Sequence, residues 1–177
     1  MTNVGKGEDV FDPAEYLEQK LNRKLNIELL TANRRRREME KLESQLAMPG
    51  VEGYLRNGRA MGLKIGLASC SSHGWVVDHL ERLKILEFFD YILTREDVIN
   101  LKPDPELYIR ALERLVVNPQ ETVAFEDSPY GVLAAKGVGL HCVVVPNPLS
   151  RMEKFDQADM TLDSLEEVSL EQLLSRI

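Results

Sequence analysis

An open, parallel α/β sheet with helices on both faces is the fold this sequence predicts, on three observations. Short β-rich runs alternate with helical segments from Val51 onward. Helix-length stretches separate successive runs, and parallel neighbours need such a crossover whereas hairpins do not. The length, 177 residues with 44% hydrophobic and 29% charged residues, suits one full domain, or one domain with a fragment of another.

Before Pro49 the chain reads as helical and highly charged. Asp12, Pro13 and Glu15 suit the N-cap, N1 and N3 positions of a first helix, with Tyr16, Leu17 and Leu21 as its apolar face. Asn26 can cap a longer second helix, along which Ile27, Leu30, Met39, Leu42 and Leu46 recur at roughly helical spacing. Pro49 and Gly50 break this pattern, so the expected boundary divides a helical segment, 1–48, from an α/β segment, 49–177. In the second segment a helix over Val51–Met61 stops at Gly62, and Leu63–Ala68 reads as a buried strand. A helix from about Gly74 to Lys84 precedes a short strand, Tyr91–Leu93. Asp104-Pro105-Glu106 opens another helix, Thr122–Phe125 reads as a strand, Pro129–Lys136 as a helix and Cys142–Val145 as a strand. Gly137 and Gly139 belong to a helix C-terminus, because they follow a helix and precede a strand, the reverse of a dinucleotide-binding turn.

Composition excludes several roles. With 22 basic and 29 acidic residues the formal net charge is −7, which repels a phosphate backbone and argues against nucleic acid. The Arg34–Arg37 run fans around a helix and reads as a solvated face. No apolar stretch approaches the roughly 18 residues of a membrane span, and the first ten residues carry no apolar signal core. Two cysteines, Cys70 and Cys142, make neither a disulfide framework nor a four-ligand metal site. A cytoplasmic, membrane-free protein is expected.

In an open parallel sheet, ligands bind beyond the carboxyl ends of the strands. Three such places carry suitable groups. Ser69, with Cys70 following it, offers a hydroxyl and neighbouring backbone N–H groups to a phosphate oxygen; a turn or helix cap is the plainer use of the same serine. Lys102, in Lys102-Pro103-Asp104-Pro105, could balance a carboxylate and a phosphate meeting at the sheet edge, or be an ordinary solvated lysine whose loop two prolines stiffen. Glu126 and Asp127 end an apolar strand that turns directly into a helix at Ser128-Pro129. Paired oxygen ligands suit a hard cation such as Mg²⁺, whereas helix capping accounts for one of them.

Together, Ser69 after a hydrophobic strand, Lys102 in KPDPELY and Glu126-Asp127 in AFEDSPYGVLAAKGVG resemble the second, third and fourth motifs of the haloacid dehalogenase superfamily, and most of all its β-phosphoglucomutase-like phosphatase branch. The resemblance spans about Pro49 to Pro146, and the helices before it resemble the latter part of that branch's helical cap. It implies a Rossmann-like core, a phosphoryl-binding Ser69, a charge-neutralising Lys102 and a Mg²⁺ site at Glu126 and Asp127. The implied activity is Mg²⁺-dependent hydrolysis of a small phosphorylated metabolite, or phosphosugar mutation; a non-catalytic phosphate- or metal-binding module is the rival.

One departure qualifies this. Members of the superfamily begin with a strand ending in Asp-x-Asp, whose first aspartate attacks phosphorus and whose second is the general acid and base. The 177 residues contain no Asp-x-Asp; Val10-Phe11-Asp12-Pro13-Ala14 has alanine at the second place and reads better as a helix start. The expectation is a chain that begins inside the cap and lacks the central strand, which would lie between the strands ending at Ser69 and at Glu126. Such a chain is expected to be inactive alone. It is expected to be unstable, to be complemented by strand addition from another segment or a second subunit, or to collapse its sheet, because unpaired buried backbone is costly.

Overall fold

The computed structural model describes residues 13–177. Asp12, expected as a cap, and most of the Val10-to-Ala14 segment lie outside the described residues. Residues up to Leu46 form one compact unit and Ala47–Ile177 a second.

In the first unit, α1 (Pro13–Leu21) and α2 (Ile27–Leu42) are joined by a turn built on charge. The Glu18 carboxylate accepts from the Leu25 backbone N–H at 2.8 Å and from Lys24 Nζ at 2.7 Å. Asn26 caps α2 as expected, its side chain accepting from Leu29 N at 2.9 Å. Helix α2 buries no residue. Within the arginine run, Arg34 and Arg36 pair with Glu38 and Glu40 one turn on, which is the solvated-face reading. Tyr16, Leu17 and Leu21, expected as the apolar face of α1, are 46%, 44% and 53% exposed. A stripe on two short helices has too little opposing surface within its own unit to be buried.

The second unit runs α3 (Val51–Ala60), β1 (Gly66–Ala68), α4 (His73–Arg82), β2 (Tyr91–Leu93), α5 (Glu106–Leu115), β3 (Val123–Glu126), α6 (Pro129–Gly137), β4 (His141–Val144), β5 (Met160–Thr161) and α7 (Leu170–Leu174). Every pairing among these strands is parallel. They form two sheets, β1–β2 and β3–β4–β5, and β1 and β3 are not paired with each other. Side chains alternate by residue between two helical layers. Ala68, Ala124, Cys142 and Val144 pack against Tyr108 and Leu112 of α5 and Val132 and Ala135 of α6. Leu67 and Ile92 pack towards Leu55 of α3 and Val76 and Leu80 of α4, while Val123 and Val143 meet Tyr54 of α3 and Leu173 of α7. Helices therefore cover both faces. Among the described residues no helix is long and apolar enough to cross a membrane.

The expected strand Leu63–Ala68 is shorter by half. Gly62, at φ +73°, terminates α3, and the Leu63 N–H bonds back to the Gly58 carbonyl at 2.9 Å. That is helix-terminating geometry, which keeps Leu63 out of the sheet and 38% exposed. Ile65 is then anchored by a side chain: Asp90 accepts its N–H at 2.8 Å and Arg59 Nη1 at 2.6 Å. The Ile65 N–H first, and the guanidinium after it, hold the Asp90 carboxyl below its ordinary pKa. A depressed folded pKa gives stability that is fully present above the unfolded value, near 3.8, and lost as pH falls through the folded value. Asp90→Asn is therefore expected to lower the melting temperature at pH 7, with the gap to wild type closing below about pH 4. An undiminished gap at pH 3 would contradict this account.

Candidate active site

The connections through α4 and α5 bring the expected residues to one place. Ser69, Cys70, Lys102, Glu126, Asp127 and Ser128 line a single cavity of about 440 Å³ where β1 and β3 end. None of the five expected site residues lies elsewhere.

Ser69 continues the β1 ladder, donating its N–H to Leu93 O at 2.9 Å. Its Oγ accepts from the Ser71 N–H at 3.1 Å. The turn use of the serine is therefore real, yet a hydroxyl that accepts still has its proton to donate. Cys70 is half-buried beside it and free of any disulfide.

Lys102 is carried on the loop between β2 and α5, which three side chains pin down. Thr94, fully buried, and Asp97 close a capping box just after β2. The Glu106 carboxylate, at the start of α5, accepts from the backbone N–H groups of Ile99 and Asn100. From this fixed base Lys102 is not solvated: its side chain is 12% exposed. Its Nζ donates to Ala68 O at 3.0 Å, Tyr108 Oη at 3.3 Å and Glu126 Oε1 at 2.5 Å. An ammonium has three protons, and all three have acceptors.

Glu126 is the last residue of β3 and its side chain is 6% exposed. By strand alternation it faces α5 and α6, where Tyr108 Oη donates to its Oε1 at 2.5 Å. It also lies against the Cα of Gly131 in the first turn of α6, so closely that a Cβ there would overlap the carboxylate. Asp127, one residue on, is exposed and lines the same cavity. The helix cap falls to neither acid: Ser128 Oγ accepts from the Gly131 N–H at 3.1 Å. Capping thus leaves both carboxylates available. Asp127 Oδ2 accepts from Asn147 Nδ2 at 2.8 Å. Asn147, in the loop after β4, has its own Oδ1 taken by the N–H groups of Leu149 and Ser150, which fixes its amide with the donor end towards Asp127.

Burial lowers the polarity around these groups. Desolvation, then the Glu126 charge, pushes the Tyr108 phenol well above its ordinary pKa, so it stays protonated and able to donate. Burial, with the charges of Glu126 and Asp159, raises the Cys142 thiol to about 12, leaving it an inert core group.

Sequence reasoning missed Tyr108, Gly131 and Asn147. Asn147 follows a strand tip as Ser69 does, and the same strand-end rule finds it. His73 opens α4, its backbone N–H is held by Glu96 at 3.1 Å, and it does not line the cavity. Among the described residues no group of three or more His, Cys, Asp or Glu is arranged to hold a metal ion. The donor set consists of two adjacent carboxylates. These are hard oxygen ligands of the kind a Mg²⁺ ion takes while keeping several waters, and they fit such an ion.

Comparison with known proteins identifies relatives of this sequence and fold. YhcW of Bacillus subtilis, whose name assigns it provisionally to the phosphatases, is 46% identical over 167 residues, covering 94% of this chain and 76% of its own length. The phosphorylated carbohydrates phosphatase of Thermotoga maritima is 40% identical over 92 residues, and those residues span 43% of it. Solved structures of CbbY from Rhodobacter sphaeroides, in complex with phosphate or with xylulose-(1,5)-bisphosphate, are 28% identical. They cover 94% of this chain and 84% of theirs, at TM-scores of 0.71 and 0.72. A family model described as haloacid dehalogenase-like hydrolase matches residues 7–145, and the chain belongs to that family of hydrolases.

Proposed function

We propose that these residues form the phosphate- and metal-binding shell of a Mg²⁺-dependent enzyme that hydrolyses small phosphomonoesters or moves a phosphoryl group on a sugar. The observation that carries this is the convergence of a hydroxyl, an ammonium and two carboxylates on one cavity at the ends of β1 and β3. Ser69 Oγ–H and the N–H groups after it orient phosphoryl oxygens. Lys102 offsets their charge, a preorganised electrostatic contribution. Glu126 and Asp127 would hold Mg²⁺, which when bound polarises a phosphoryl oxygen as a Lewis acid. The phosphatase name of the Thermotoga relative and the sugar bisphosphate bound by CbbY support a phosphorylated sugar or similar metabolite as substrate. The two free thiols suit the reducing cytoplasm.

The nucleophile is assigned to an extended segment in the slot between β1 and β3. Among the described residues each of these strands has a neighbour on one side only, and both strands end at the cavity. Phe125 on β3 is 41% exposed. A parallel strand added there, from this chain's N-terminal side or from a second copy, would pair both edges. Hydrolysis of p-nitrophenyl phosphate tests the reading, using the 177-residue chain and a form extended upstream by a strand ending in Asp-x-Asp. Mg²⁺-dependent turnover confined to the extended form is expected. Ordinary turnover by the 177 residues alone would overturn the assignment of the nucleophile. Absence of turnover from both would overturn the phosphatase reading in favour of a binding module.

A further inference from the structure

We propose that Tyr108 is a positioning residue that fixes Glu126 and Lys102 for metal and phosphate through its hydroxyl, a role that rests on the functional reading above. Chemistry sets the direction of both bonds. A carboxylate only accepts and an ammonium only donates, so the phenol donates to Glu126 Oε1 at 2.5 Å and accepts from Lys102 Nζ at 3.3 Å. Among the described residues it is the neutral side chain that hydrogen-bonds both members of the pair. Its ring adds a second restraint, lying with its centroid 4.6 Å from the ammonium.

Packing does not account for the hydroxyl. Tyr108 is 8% exposed and belongs to a cluster that includes Leu112, Val132, Ala134, Ala135 and Cys142. Phenylalanine fills such a place without the desolvation cost of a phenol. What the hydroxyl adds is orientation of a carboxylate whose remaining hydrogen bonds are long, 3.3 Å from the Asp127 N–H and 3.5 Å from Ser128 Oγ. Residues that orient a ligand carboxylate govern metal affinity without touching the metal.

The test is Tyr108→Phe, which keeps the ring and removes the oxygen, with Mg²⁺ binding followed by calorimetry and melting followed in EDTA. Mg²⁺ affinity is expected to fall about tenfold, with melting little changed. In a Glu126→Gln background the same substitution should leave affinity where Glu126→Gln alone sets it. Unchanged Mg²⁺ affinity in Tyr108→Phe, or an equal loss in the Glu126→Gln background, would overturn the proposal. If Glu126→Gln and Asp127→Asn both bind Mg²⁺ as wild type does, the metal assignment itself fails, which is a separate result. A measurement without any variant at this position covers the case of poor folding. With ¹³Cζ-tyrosine label, the Tyr108 resonance should move on Mg²⁺ addition along the calorimetric binding curve, and a resonance that stays still overturns the proposal.

Discussion

Lys102→Met is expected to destabilise the protein by about 3 kcal/mol, read from urea unfolding at pH 7. The pair it breaks is close, at 2.5 Å, and its side chains are 12% and 6% exposed. Screening by water, which makes surface pairs weak, is largely absent. Removing the ammonium leaves the Glu126 charge with the Tyr108 hydroxyl and two long hydrogen bonds, and strips the Ala68 carbonyl of its donor. The cost is that of an uncompensated buried charge and not the net worth of the pair. Lys102→Met with Glu126→Gln should therefore recover most of the stability while binding neither Mg²⁺ nor phosphate. A loss below about 1 kcal/mol in the single variant would mean that Tyr108 and the backbone suffice to hold the charge.

That pair also marks how far the sequence carries. The strand-end rule locates Ser69, Glu126 and Asp127 because each sits where a strand stops, Lys102 is found on the proline-stiffened loop before α5, and β2 runs over Tyr91–Leu93 as expected. Strand β1 is misjudged because the Gly62 helix terminator draws Leu63 into a backbone bond with Gly58, which no apolar pattern reveals. Strand β5 has two residues and helix α7 five, lengths too short for a period to show. Tyr108 and Gly131 escape for a different reason. Their part in the site exists only once α5 and α6 have packed on the same face of β3, so that one supplies a hydroxyl and the other a Cα beside the same carboxylate. KPDPELY contains Tyr108 in plain view, but its meaning is tertiary.

Gly131→Ala is expected to weaken the site's metal binding severely at a smaller cost in stability than Lys102→Met. An added Cβ would occupy the space of the Glu126 carboxylate, so the side chain must rotate away from Lys102 and Tyr108. The backbone around it has no reason to move. Alanine gains about 1 kcal/mol over glycine within a helix, which offsets only part of the about 3 kcal/mol lost with the buried Lys102–Glu126 pair. Affinity has no such offset: losing the partners that orient a metal ligand costs about 10–100-fold. Mg²⁺ binding should therefore fall by up to about a hundredfold, while a net loss of about 2 kcal/mol lowers the melting temperature by about 4–8 °C. Gly74→Ala in α4 is the control, because a Cβ there meets nothing within 4 Å, and it should leave Mg²⁺ binding unchanged. If Gly131→Ala binds Mg²⁺ normally, Glu126 can serve the metal from a second rotamer. The tight packing against α6 would then be a feature of the core and not of the site.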